Sequence, residues 1–203
     1  MSLARIAVPT ATVIGNFPND IFTVAVIRPK NKHDGRLVLP GGCLNLEKKE
    51  TPEQVAMREW DEEVGGEGSY LQFLKLWTIK TDPLADVRTS TLGKLTHGEC
   101  PTELAETPVI GHYGCPDWIF RGEVVGTPSP KDGEAEECIW FNLRELKISP
   151  TVQESQFGAN HDLILGIILF RYLYGINLSR ASDAHLTDMA ELRQFLRRHQ
   201  PLA

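Results

Sequence analysis

Cysteine is scarce in this chain: Cys43, Cys100, Cys115 and Cys138 are the only 4 in 203 residues, too few and too scattered for a disulfide framework. Long apolar runs are missing as well. The longest, residues 163–170, falls well short of the roughly 20 residues needed to cross a bilayer, so no membrane partner is expected. Residues 1–20 hold no basic stretch followed by an apolar one, the pattern of a secretory leader. A cytoplasmic protein is therefore expected. Positive charge is not in excess either. The formal net charge is -6, whereas a protein whose main partner is a nucleic-acid backbone needs a basic surface to displace counterions. No repeat or linker interrupts the chain. What is present, 41% hydrophobic and 24% charged residues, is an ordinary composition for one well-buried domain.

The most informative stretch is acidic. Thr51 followed by Pro52 opens a helix, since a Ser/Thr N-cap with Pro at the first helical position is a start signal, and Gln54 completes a capping box with Thr51. Gly65 and Gly66 stop it. Between these limits Glu59, Glu62 and Glu63 stand at i, i+3 and i+4, while Ala56, Trp60 and Val64 form an apolar stripe for a core. Like charges at these spacings repel by about 0.2–0.5 kcal/mol per pair, so the cluster points to a cation among the carboxylates. An all-oxygen donor set suits a hard divalent ion, Mg²⁺ or Mn²⁺. Mg²⁺ is usually shared between a few carboxylates and substrate phosphates. The competing reading is a solvated acidic face, with Arg58 in an ordinary surface ion pair.

Spacing decides between the two. Glu50 is followed by seven residues and then by Arg58-Glu59-Trp60-Asp61-Glu62-Glu63-Val64-Gly65. This arrangement resembles the signature of the Nudix hydrolases, which runs Gly, five residues, Glu, seven residues, Arg-Glu-apolar-any-Glu-Glu-any-Gly-apolar. Two positions depart from it. Seven residues, not five, separate Gly42 from Glu50, and Gly66 stands where the family has an apolar residue. Two added loop residues cost little closure entropy, but they bear on whether the Gly42 carbonyl reaches the metal. The resemblance implies an α+β protein with the Nudix α/β/α sandwich and a mixed sheet. It also implies hydrolysis of a nucleoside diphosphate linked to another group. Glu59, Glu62, Glu63 and Gly42 would hold the metal, with Arg58 and Glu50 orienting the carboxylates.

Around the signature, residues 4–14 and 21–28 are rich in β-branched side chains and flank the turn-forming residues 16–20, a hairpin pattern. Further strands are expected at 36–39, 70–80, 118–125 and 138–141, and helices at 161–174 and 187–199. Residues 1–175 would form the Nudix domain, with 176–203 a helical extension packed on it. Residues 81–116 read as a large loop, and long irregular connections are often functional. His97 and Cys100, with His112 and Cys115, supply the ligand types of a tetrahedral zinc site. The usual paired Cys-any-any-Cys hook is missing, so free thiols are the favoured reading.

The general base and the substrate are read from shorter patterns. Nudix enzymes take the base from the signature helix or from a loop before the last strand. In the stretch 132–137, Glu134 or Glu136 resembles the loop glutamate of ADP-ribose pyrophosphatases, the alternative being an exposed acidic turn. The run from Trp77 through Asp82-Pro83 and Asp86 to Arg88 is similar to the recognition loop of Nudix proteins handling ADP-ribose or nucleotide sugars. Asn160-His161-Asp162 is similar to the start of their final helix. Arg88 would then grip a phosphate and Trp77 stack a base. Related ADP-ribose enzymes are commonly dimers, so a homodimer is one expected arrangement. Two other classes stay open. A nucleotide-binding sensor without hydrolysis has only the altered glycine loop in its favour. Isoprenoid diphosphate isomerisation would need a catalytic cysteine, Cys43 or Cys115.

Overall fold

The structure is a computed structural model of the chain. It describes residues 10–45, 47–66, 68–82, 109–110, 115–131, 133–174 and 189–199. A mixed sheet forms its centre, built from β1 (Thr10–Phe17), β2 (Asp20–Pro29), β3 (Gly41–Cys43), β4 (Tyr70–Asp82), β5 (Val109–Ile110), β6 (Cys115–Val125) and β7 (Ala135–Asn142). The order across it is β5-β4-β6-β1-β2-β7, with β3 also pairing β1. β1 and β6 run parallel, as do β4 and β5. The pairings β1–β2, β1–β3, β2–β7 and β4–β6 are antiparallel. Helix α1 (Pro52–Glu63) covers one face, and α2 (His161–Tyr174) with α3 (Met189–His199) covers the other.

Both faces are covered, so the central strands carry apolar residues on both sides. Ala11, Val13, Ala25 and Ile27 point toward Trp60, Val55 and Ala56 of α1. Ile14, Val24 and Val26 point toward Leu163, Ile164 and Ile168 of α2 and Leu192 and Leu196 of α3. The bulk of Trp60 is accommodated by Gly15. A Cβ there would lie 2.4 Å from the indole ring, so only glycine lets the ring seat against β1.

The hairpin, the strands β4, β6 and β7 and all three helices answer to the sequence pattern within the described residues, with strand ends moved by a few residues, whereas β3 and β5, the latter in the stretch read as a loop, are not expected from it. The segment 36–39 does not form a strand. It makes two isolated bridges, Ile27 with Val38 and Leu37 with Phe157. Pro40 follows, and its carbonyl accepts from Val13 N at 2.8 Å. The chain thus leaves β2 and crosses to β1, where Gly41 lies opposite Thr12 and Gly42 opposite Ala11. That crossing brings the glycines to the end of α1.

Helix α3 is tied to α2 by a buried ion pair. Both Arg193 guanidinium ends donate to Asp162, at 2.6 and 3.0 Å, and Ser155 Oγ donates to the same carboxylate at 2.9 Å. Asp162 is 0% exposed and Arg193 5%. Removing one partner of such a pair strands a charge in the core. Arg193→Met is therefore expected to cost about 3–5 kcal/mol in urea unfolding, seen as a lower midpoint. A cost under about 1 kcal/mol would mean that α3 is not held by this contact.

Candidate active site

Helix α1 starts as its sequence requires. Gln54 N donates to Thr51 Oγ1 and Thr51 N to Gln54 Oε1, with Pro52 at the first helical position. This fixes the rotation of the helix, and hence where its acidic residues point. Val55, Ala56, Trp60 and Glu63 are the buried positions. Arg58 draws three carboxylates together. Its Nε donates to Glu50 Oε1 at 3.0 Å, and its Nη1 to Glu59 Oε1 at 2.7 Å and Glu62 Oε2 at 2.9 Å. A further bond reaches the Cys43 carbonyl at 3.2 Å. Glu50 is set in turn by the loop before the helix, since Asn45 N donates to its Oε2 at 3.0 Å and Glu50 N to Asn45 O at 3.3 Å. The two extra loop residues are closed off locally, and Glu50 still meets Arg58.

The glycines meet Glu63 and Glu59 from the sheet side. Gly41 N donates to Glu63 Oε2 at 2.8 Å. A Cβ on Gly42 would stand 2.1 Å from Glu59 Oε1. Any side chain at 42 would therefore occupy the space of that carboxylate.

Burial raises the proton affinity of two of these groups. The Glu59 carboxyl is pushed up first by desolvation, against the pull of Arg58, with Glu62 and Glu134 adding repulsion. Glu63 is pushed up to about 7, chiefly by desolvation, although the Gly41 N–H and the Lys32 charge oppose it. Glu50 moves the other way, held low by its hydrogen bond from Arg58. Burial draws the Arg58 guanidinium down, yet the carboxylates around it more than reverse that.

The sign of the Glu63 shift gives a stability test. Its ordinary value is 4.5 and its folded value about 7. Between those values the folded chain keeps a proton that the unfolded chain has released. Stability from Glu63 is complete below the lower value and disappears as pH rises through the higher one. In chelator, the thermal midpoint of wild type minus that of Glu63→Gln should fall between about pH 5 and about pH 8. A pH-independent difference would mean that Glu63 is ionised throughout.

The donor set fits a divalent cation in its chemistry, a group of carboxylate oxygens on one helix. Glu59 and Glu63 are buried beside further negative charge, and a side chain at 42 would collide with the Glu59 carboxylate. Among the described residues no three His, Cys, Asp or Glu side chains already stand as a metal cage. Glu59 and Glu62 are turned to Arg58, which serves as their counter-charge, and Glu63 to Gly41 N.

Glu134 immediately precedes β7 and Glu136 lies in it. Lys30 N donates to the Glu134 carbonyl at 2.7 Å, and Lys32 Nζ pairs with the Glu134 carboxylate at 3.4 Å. The Glu134 charge is felt at both Glu59 and Glu63, where it raises the proton affinity. Arg88, His97, Cys100 and His112 lie outside the described residues, and with them three of the four candidate zinc ligands. Trp77 lies in β4 and Cys115 begins β6.

One residue absent from the sequence reading, Lys32, belongs to the site's surroundings. Lys32 is brought to Glu134 by the pairing of β2 with β7 across 102 residues of chain. No local motif announces it. His161, part of the stretch similar to the start of the final helix in ADP-ribose-handling relatives, accepts at Nδ1 from Leu39 N at 2.8 Å inside the core.

Comparison with known proteins follows the same lines. The NUDIX domain family model matches residues 8–158. The fold is similar to that of a Nudix hydrolase family member from Chromobacterium violaceum, with TM-score 0.52 and 17% identity over 97% of each chain. It is also similar to a NUDIX hydrolase from Nitrosomonas europaea, with TM-score 0.51 and 18% identity over 83% of this chain and 74% of the other. A MutT structure from work on Aliivibrio salmonicida and Vibrio cholerae gives TM-score 0.50 and 12% identity over 81% and 98%. At such identities the likeness speaks to fold alone. Curated proteins give no significant match.

Proposed function

This chain belongs to the Nudix family of pyrophosphohydrolases, enzymes acting on nucleoside diphosphate derivatives, and from that premise we propose that it cleaves the diphosphate of ADP-ribose or a nucleotide sugar. The observation that supports diphosphate hydrolysis is the Arg58-centred cluster of Glu50, Glu59 and Glu62, with Gly42 against Glu59. Glu59, Glu62, Glu63 and the Gly42 carbonyl are the groups that would hold Mg²⁺ or Mn²⁺. Such an ion, when bound, neutralises phosphate oxygens and lowers the pKa of the attacking water.

The remaining work belongs to the chain itself. Glu50 holds Arg58, and Arg58 fixes the side chains of Glu59 and Glu62. Glu134, whose charge reaches Glu59 and Glu63, is the better candidate to take the proton from water, and Glu136 the weaker one. Arg88 would grip the diphosphate and Trp77 stack on a base. That part, like the choice of ADP-ribose or a nucleotide sugar, rests on the sequence resemblance of residues 77–88. Residues 1–175 would carry the whole site, with 176–203 an extension held by contacts such as Arg193 to Asp162. Among the described residues no helix is long and apolar enough to cross a membrane. The -6 charge is consistent with a cytoplasmic enzyme whose partner is a small-molecule substrate rather than nucleic acid.

The test is a panel of nucleoside diphosphate derivatives with Mg²⁺ or Mn²⁺, products being resolved by chromatography. The expected result is conversion of ADP-ribose to AMP and ribose 5-phosphate, or the matching split of a nucleotide sugar. Binding of these compounds without any turnover would instead support a sensor.

A further inference from the structure

The segment from Leu37 to Gly42 is gripped from both faces of the sheet. On the side of α1, Gly41 N donates to Glu63 Oε2 at 2.8 Å and Gly42 abuts the Glu59 carboxylate. On the side of α2, Leu39 N donates to His161 Nδ1 at 2.8 Å, with Leu39 1% and His161 7% exposed. Between them, Val13 N donates to the Pro40 carbonyl at 2.8 Å. Leu39, Pro40 and Gly41 therefore each have one backbone group fixed by a different element.

The bonds differ in kind. Those at Pro40 and Gly41 are made by the strand beneath and by the carboxylate to be positioned. The bond at Leu39 alone comes from an imidazole of the opposite helix. A ring nitrogen that accepts from an amide carries no proton, so the His161 proton lies on Nε2. His161 is itself fixed at the start of α2. Its N donates to Gly158 O at 3.0 Å, Gly158 N donates to Leu37 O at 2.9 Å, and neighbouring Asp162 is locked by Arg193. The loop 156–161 and the segment 37–42 thus form one hydrogen-bonded unit, with no slack between α2 and the two glycines.

We propose that His161 is a positioning residue for the metal-holding carboxylates: by fixing Leu39 it sets the height of Gly41 and Gly42 against Glu63 and Glu59. This inference rests on the reading that those glutamates hold a divalent ion. Loss of the acceptor leaves a buried Leu39 N–H unpaired. The short span to Gly42 then shifts, and the carboxylates lose their fixed neighbour.

The experiment compares two substitutions in the full chain. His161→Phe keeps a ring but removes the acceptor, and His161→Asn puts Oδ1 where Nδ1 stands but loses ring volume. Mn²⁺ binding is read without substrate by electron paramagnetic resonance of the free ion, beside kcat, KM and thermal midpoint. His161→Phe should weaken Mn²⁺ binding by about tenfold and lower kcat with KM little changed, while His161→Asn binds Mn²⁺ like wild type even if its midpoint falls. A Phe variant with a lowered midpoint but wild-type Mn²⁺ binding and kcat overturns the proposal, as does an Asn variant impaired as much as Phe. Should Phe not fold, His161→Gln, whose acceptor is displaced by one bond, replaces it. Weaker Mn²⁺ binding than Asn is then expected, and equal binding overturns the proposal. Wild type that neither binds Mn²⁺ nor turns over any diphosphate would overturn the underlying reading and this proposal with it.

Discussion

Glu59→Gln is expected to lower kcat by about a hundredfold and to raise the Mg²⁺ concentration giving half-maximal rate, with substrate KM little altered. The substitution keeps size and hydrogen bonding and removes one charge from a carboxylate that touches both Arg58 and the face of Gly42. Glu62 is more exposed than Glu59, with 41% against 12% of its side chain in solvent. Glu62→Gln should therefore lose less, about tenfold. Steady-state kinetics over a Mg²⁺ titration separates these cases. Wild-type kcat and metal dependence in Glu59→Gln would leave Glu59 as a partner of Arg58 and nothing more.

The second large effect belongs to the loop before β7. Removing a general base typically costs 10²–10⁴-fold in rate, whereas losing an exposed charge costs almost nothing. Glu134→Gln should show the first behaviour and Glu136→Gln the second. The reason is electrostatic: Glu134 pairs with Lys32, and its charge is felt at Glu59 and Glu63. Equal, unimpaired rates in both variants would return the base to α1.

Much of this was legible in the residues. The capping box of Thr51 and Gln54 and the apolar stripe of Ala56, Trp60 and Val64 are local, so spacing alone located α1. The Glu50 to Arg58 contact was legible too, because a partner eight residues away lies within reach of one loop and two helical turns. The burial of Glu63 was not. Its spacing puts it beside Glu59, but what covers it is the 40–42 segment arriving from another part of the sheet. Lys32 escaped for the same reason, since its meeting with Glu134 depends on the β2–β7 register, Pro29 opposite Ala135. Residues 36–39 look like a strand because Leu37, Val38 and Leu39 are apolar and buried. Their backbone bonds are divided between Ile27 and residues 156–158, so no ladder forms.

The most direct test of the central claim, that carboxylates of α1 work through a divalent ion, is turnover of one diphosphate substrate in three conditions. These are Mg²⁺, excess chelator, and chelator followed by Mn²⁺ in excess over it. The account predicts hydrolysis in the first, none in the second and recovery in the third. Undiminished turnover in chelator would contradict it.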